Sequence, residues 1–305
     1  MANKTQRDVF FDRVYELARV DRDVIIVSAD MSAPALDKFR RDLPMQFVNV
    51  GIAEQNAILI ASGLAKEGKK VFCYAIAPFI TLRCLEQIRV NSCINEIPIT
   101  IVGMGVGLGY HSDGPTHHLI EDVAIMRSFP GINILNTTDN IMAASLVSIA
   151  ANSSVTNYIR LDKDFHDDVY SAGADFSSGL NKIKEGRKMI VATGAMVHSA
   201  CEIAASDYGV IDLFQIPINR EAFIEAINGV EKIITLEEHF LAGGMGSAVC
   251  ELFNDCDIKI SVKRLGLNAR AGYESCYKYG GREIIRDNFG LGFESIKEEA
   301  NNFFK

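Results

Sequence analysis

The sequence predicts an α/β protein built as two doubly wound domains with mostly parallel sheets. Short apolar runs alternate with helical patterns along the chain, as they do in successive βαβ units. The 305 residues suit about two cores, because a single core stops growing near 250 residues. The alternation also breaks once, in the polar stretch 162–186 with Gly173, Ser177, Ser178, Gly179 and Gly186, and then restarts. That break places the boundary near 165–185 and gives domains over 1–170 and 171–305.

In the first domain, residues 24–28, 70–74, 98–102, 132–135 and 157–161 read as strands. Residues 7–19, 53–66, 78–95, 119–128 and 140–152 read as the helices between them. Asp139 suits the N-cap of the last of these helices, and Gly68 suits the stop of the helix over 53–66. In the second domain, strands are expected over 189–193, 209–213, 232–237 and 258–264. Helices are expected near 195–207, 219–228, 244–253 and 280–288. The strand over 232–237 runs into Glu237, Glu238 and His239. The next helix follows Gly243-Gly244-Met245-Gly246, a loop that lets backbone and neighbours approach closely.

Composition narrows the function classes. The chain is 48% hydrophobic and 23% charged, ordinary values for a globular protein. Its formal charge of −8, from 31 basic and 39 acidic residues, offers no electrostatic footprint for nucleic acid. No run approaches the roughly 18 apolar residues of a membrane span. Residues 1–8 lack the apolar stretch of a signal peptide. Seven cysteines, an odd and scattered set without a Cys-x-x-Cys pair, argue against a disulfide framework or structural zinc. These features together read as cytoplasmic.

Three segments hold candidate chemistry. Residues 49–56, Asn-Val-Gly-Ile-Ala-Glu-Gln-Asn, open a long apolar helix with Glu54 in its first turn. The helix dipole favours a carboxylate there. A structural role explains it, but so does a proton partner for a bound heterocycle, since an apolar site raises a carboxylate's proton affinity. Residues 103–118 carry Gly103, Gly105, Gly107 and Gly109, then His111, Asp113, His117 and His118. The spacing fits neither a dinucleotide fingerprint nor a P-loop, and it has no zincin pattern. It reads instead as an acid/base or substrate-contact loop at the carboxyl end of a strand, where open α/β sheets bind ligands. Alternatively, it is only a polar loop with its hydrogen bonds satisfied. In the third segment, Pro78-Phe79, at a strand-to-helix turn, is either core or a platform for a ring.

These residues, taken together, resemble transketolase. The blocks that carry the resemblance are Ser28-Ala29-Asp30, Gly51-Ile52-Ala53-Glu54-Gln55, Pro78-Phe79 with Arg83 and Glu86-Gln87-Ile88-Arg89, Asp113-Gly114-Pro115-Thr116-His117, and Glu121 to Arg127. Their order and spacing are similar to the pyrimidine domain that binds thiamine diphosphate. Glu237-Glu238-His239 with Gly243 to Gly246 is similar to the family's C-terminal domain. The Gly-Asp-Gly block of the diphosphate domain is absent from the sequence. The resemblance therefore implies the separate C-terminal-half subunit of a split enzyme that transfers a two-carbon ketol unit.

In that reading, the cofactor is thiamine diphosphate shared with a partner chain carrying Gly-Asp-Gly and Asn. The partner would also hold Mg²⁺, with an α2β2 assembly expected. Glu54 would hydrogen-bond the aminopyrimidine ring nitrogen and activate the cofactor, and Phe79 would stack on that ring, with Ile52 and Arg83 completing the cofactor side. His117 and Asp113 would contact substrate hydroxyls, with His111 nearby. The family's phosphate-gripping positions correspond here to Asn3 or its neighbours, Ser32 or Pro34, Gly105 and Lys163. Lys163 replaces a bidentate arginine with a point charge. An atypical or non-phosphorylated acceptor is therefore expected. The β chain of a 2-oxo acid dehydrogenase and deoxyxylulose-phosphate synthase share the two-domain layout. Asp-Gly-Pro-Thr-His favours transketolase over the first, and the second keeps its diphosphate domain in the same chain. A non-catalytic subunit has no need of Glu54, Asp113 and His117 together.

Overall fold

Near-continuous apolar strands need cover on both faces, and parallel sheets sandwiched by helices provide it. The computed structural model describes residues 4–31, 34–204 and 208–305. The chain divides into two compact units, Met1–Val106 with Met126–Ala174, and Gly107–Ile125 with Asp175–Lys305. The segment that holds the histidines thus belongs to the second unit, although it lies within the first half of the sequence.

In the first unit, α1 (Gln6–Val20) begins at Thr5, whose Oγ1 accepts from the Asp8 amide. Then come β1 (Val24–Ser28), α2 (Pro34–Asp42), β2 (Phe47–Asn49), α3 (Glu54–Lys66), β3 (Lys70–Ile76), α4 (Ala77–Ile80), α5 (Leu85–Gln87) and β4 (Thr100–Met104). After α6 (Asp122–Met126), which belongs to the second unit up to Ile125, the first unit closes with β5 (Ile132–Asn136), α7 (Asn140–Ala151) and β6 (Thr156–Leu161). Its strands run β5-β6-β4-β3-β1-β2, every pair parallel. Every residue of β1, β4 and β6 is buried. Phe10 and Phe11 of α1 pack edge-on against Phe72 and Tyr74 of β3, with ring centroids 6.0 and 4.6 Å apart.

The second unit contains β7 (Leu180–Lys184), β8 (Lys188–Ala192), α8 (Met196–Ile203), β9 (Gly209–Leu213), the two-residue β10 (Gln215–Ile216), α9 (Arg220–Ala226), β11 (Lys232–Phe240), α10 (Met245–Asp255), β12 (Ser261–Leu267), α11 (Arg282–Asn288) and α12 (Phe293–Phe304). Its five-stranded sheet runs β12-β11-β8-β9-β7, parallel except for β7 against β9. Leu108 and Ile120 of the histidine segment join its core beside Ile234, Leu236 and Phe289.

The expected helix over 78–95 is not one helix. The backbone at Thr81 (φ −107°, ψ −80°) ends α4, and a 3₁₀ turn, α5 and a π segment at Ile88–Ile94 follow. The strand expected over 98–102 starts at Thr100, since Pro98 has no amide to give a ladder. The stretch read as loop over 162–186 contains β7, and α2, β2 and α12 add to the expected elements. Among the described residues, no helix is long and apolar enough to cross a membrane.

Candidate active site

Asn49 ends β2 and sets the entry to α3. Its Oδ1 accepts from the Gly51 amide at 2.9 Å and the Asp30 amide at 3.2 Å. Gly51 turns the chain at φ +73°, a conformation that disfavours any side chain. Ala53 then donates to the Gly51 carbonyl, and α3 starts at Glu54. At its far end α3 stops in a Schellman motif. Gly68, at φ +85°, donates to Ala65 and Lys69 donates to Leu64.

Glu54 is 4% exposed. Its Oε2 accepts from Arg83 Nη1 at 2.7 Å, whereas Oε1 accepts no hydrogen bond among the described residues. Gln55 Nε2 holds the Arg83 carbonyl at 3.0 Å, and the Arg83 guanidinium lies 4.3 Å from the centroid of the half-buried Phe79 ring. The structure thus brings Glu54, Arg83 and Phe79 together. Beside them, Cys84 donates to the Phe79 carbonyl, and burial, with the Glu54 charge adding to it, pushes its thiol up to about 12. Cys84 therefore carries no thiolate for nucleophilic chemistry at ordinary pH. Ile52 is 80% exposed in the turn before α3.

Lys163 is half-buried in the turn after β6. Its neighbour Asp162 accepts from the Asp164 amide at 2.9 Å and donates its own amide to Gln6 Oε1 at 2.8 Å. Asn3 and Ser32 lie outside the described residues.

In the second unit, the segment of His111, Asp113 and His117 is a loop closed at its base by the paired amides and carbonyls of Gly107 and Leu119, at 2.9 and 2.8 Å. Inside it, Asp113 donates to Tyr110 and His117 to Gly114. Gly114, at φ +79°, leaves room for the Tyr279 hydroxyl, which would stand 2.7 Å from an added Cβ. Asp113 is exposed, while His111 and His117 are half-buried, each with Nδ1 near the hydroxyl of a neighbour, Ser112 at 3.2 Å and Thr116 at 3.1 Å. His118 turns inward, 3% exposed, and its Nε2 donates to the Tyr110 carbonyl at 3.1 Å. Burial holds its pKa below the ordinary value, so it is neutral and structural at neutral pH.

The glycine run is not a phosphate cradle. Gly103 packs on Ala77 and Tyr158, and a Cβ on Gly107 would stand 2.1 Å from Glu238 Oε2. Glu237, 1% exposed, accepts from the Met245 and Gly246 amides at 2.6 and 2.8 Å and so caps the start of α10. Gly244 makes room for that carboxylate. Glu238 and His239 do not bond each other. Glu238 pairs with Arg282 and Arg286, whereas His239 Nδ1 donates to the Phe240 carbonyl and its Nε2 accepts from Ala124. Sequence reasoning missed the two arginines, although their i, i+4 spacing after Gly280-Gly281 was there to be read.

Comparison with known proteins agrees with this layout. Residues 3–165 match the model for the transketolase pyrimidine-binding domain, and residues 180–281 match that for the transketolase C-terminal domain. The chain is 33% identical to one subunit of the apulose-4-phosphate transketolase of Phocaeicola vulgatus, over 98% of this chain and 97% of that one. It is 29% identical to the 6-deoxy-6-sulfo-D-fructose transketolase subunit SqwH of a Clostridium species, over 97% and 93%. A solved split-gene transketolase, described as an inactive beta4 tetramer, superposes with TM-score 0.86 at 28% identity over 98% of each chain.

Proposed function

Because this chain belongs to the transketolase family, as a subunit of the split type, we propose that it holds the aminopyrimidine end of thiamine diphosphate in an enzyme that moves a two-carbon ketol unit from a ketose to an aldehyde. The observation that carries the proposal is Glu54. A buried carboxylate with one oxygen fixed by Arg83 and the other unengaged, beside the Phe79 ring, fits a protonatable aromatic nitrogen. When bound, the cofactor supplies the carbon nucleophile. This chain's part is to present Glu54 Oε1 to the ring nitrogen, offer Phe79 as a stacking face, and keep Arg83 against Oε2. Asp113, His117 and His111 would contact the substrate, with Ser32 and Lys163 toward its far end and Ile52 at the cofactor margin.

A partner subunit supplies the diphosphate site and Mg²⁺ in this reading, within an α2β2 assembly. That the solved relative composed of β subunits is described as inactive supports the need for a partner. The seven cysteines are all free thiols, which supports the cytoplasmic placement. The acceptor is not a common 5-phosphate sugar, because Gly105 and Lys163 stand where the family grips that phosphate with histidine and arginine. The names of the two relatives, with their 4-phosphate and sulfo sugars, support an unusual sugar substrate, the sulfo-fructose being a ketose and so a donor.

The test is turnover by the assembled complex, wild type and Glu54→Gln, with hydroxypyruvate as donor and ribose 5-phosphate among the acceptors. Glu54→Gln should lower kcat by about 10²- to 10⁴-fold without dissociating the subunits. Undiminished turnover would contradict the assignment of Glu54. A ribose 5-phosphate KM well below about 1 mM would contradict the unusual acceptor.

A further inference from the structure

The histidine loop is held at its root by a buried charge cluster. Glu238 sits on β11, 8% exposed, and three groups converge on its carboxylate. Arg282 contacts both oxygens, Nε to Oε1 at 2.9 Å and a terminal nitrogen to Oε2 at 2.6 Å. Arg286 Nε reaches Oε1 at 2.5 Å, and the Leu108 amide donates to Oε2 at 2.9 Å. Both arginines project from α11 and are 8% and 7% exposed, with Glu283 pairing with Arg286. All of these residues lie in the second unit.

Leu108 is the first residue inside the Gly107–Leu119 closure, so the carboxylate grips the loop at its root. Gly107 is required for that grip. At φ +60° a side chain would be strained, and its Cβ would meet Glu238 Oε2. The other root is held as well. Ile120 accepts from the Phe240 amide at 2.8 Å, and the Ile120 amide donates to Glu121 Oε2, whose Oε1 accepts from Tyr273 at 2.8 Å. Burying a carboxylate and two guanidiniums is costly, and well-packed apolar residues could stabilise the same space at least as well. A charge cluster retained at the root of a loop that carries His111, Asp113 and His117 therefore points to precision of placement.

We propose that Glu238, Arg282 and Arg286 are positioning residues for the transfer reaction, a clamp from the C-terminal part of the chain that fixes the loop presenting His117 and Asp113 to substrate. The proposal rests on the assignment of that loop to substrate contact. Its consequence is that α11, although it supplies no group to the chemistry, sets the reaction rate through the loop. A misplacement of about 1 Å can cost about 10²-fold in rate.

The test uses the full chain assembled with its partner subunit, hydroxypyruvate as donor, and the variants Glu238→Gln and His117→Ala, singly and combined. Glu238→Gln should lower donor kcat/KM by about 10- to 100-fold while the thiamine diphosphate Kd stays within about 2-fold, since Glu54 and Phe79 belong to the other unit. In the His117→Ala background the same substitution should cost less than in the wild-type chain, because one of the two groups it positions is gone. Amide hydrogen exchange across 108–118 should quicken by at least about 10-fold in Glu238→Gln. If Glu238→Gln does not fold, Arg282→Lys, which keeps the charge and loses the two-pronged contact, carries the same readouts. Unchanged exchange in the loop, or an equal loss in both backgrounds, would overturn the clamp. If His117→Ala alone leaves turnover intact, the substrate assignment of the loop fails, a result distinct from failure of the clamp to order it.

Discussion

At the scale of single residues, the two histidines that end the loop differ only in which way they face. His117 is half-buried with Nδ1 near Thr116, whereas His118 is buried with Nε2 on a carbonyl. Adjacent positions in one sequence motif thus divide into a partly exposed group and a buried group that holds the loop. Burial lowers the His118 pKa in the folded state, so the unfolded chain binds this proton more readily. This contribution favours the fold at neutral pH and is lost as pH falls from the ordinary histidine value toward the lowered one. His118→Gln should therefore flatten the stability profile on the acid side of about pH 6.5, read by urea unfolding at several pH values. An unaltered profile would show that His118 does not contribute to it.

Individual elements show what the sequence makes legible and what it conceals. The helix that carries Glu54, expected over 53–66, runs Glu54–Lys66, because a glycine turn starts it and Gly68 stops it. Asp139 caps its helix as expected and does more. Its Oδ1 accepts from Met142 at 2.8 Å, and its Oδ2 accepts from Val169 and Tyr170, both at 2.8 Å. Asp139→Ala should destabilise the protein by more than the ~1 kcal/mol of an ordinary cap, since two further amides lose their acceptor as well. Denaturant unfolding showing less than about 0.5 kcal/mol would contradict that. The single helix expected over 78–95 fails because an apolar 3.6-residue pattern does not reveal a backbone break at Thr81 or a π segment after it. α12 is legible, with Ile296, Ala300 and Phe304 buried at four-residue spacing. β7 is not legible, since lysines interrupt its alternation.

For the molecule as a whole, local motifs point to Glu54, Phe79 and Arg83, and the fold brings them together because all three follow parallel strands in one unit. The histidine loop can be read as a motif, but not as part of the second unit, because that depends on Glu238, Arg282 and Arg286, more than 100 residues further along the chain. Long-range ion pairs leave no local periodicity to read. The relatives it matches over nearly their whole length are separate subunits of transketolases, and the proposed site is likewise completed by another subunit. The most direct measurement is the native mass and composition of this chain, tagged and purified from its own source. The account predicts a stoichiometric companion of roughly 30 kDa carrying Gly-Asp-Gly and Asn, within the size of an ordinary domain pair, and thiamine diphosphate retained by the complex. A homo-oligomer that neither recruits a companion nor binds thiamine diphosphate would contradict it.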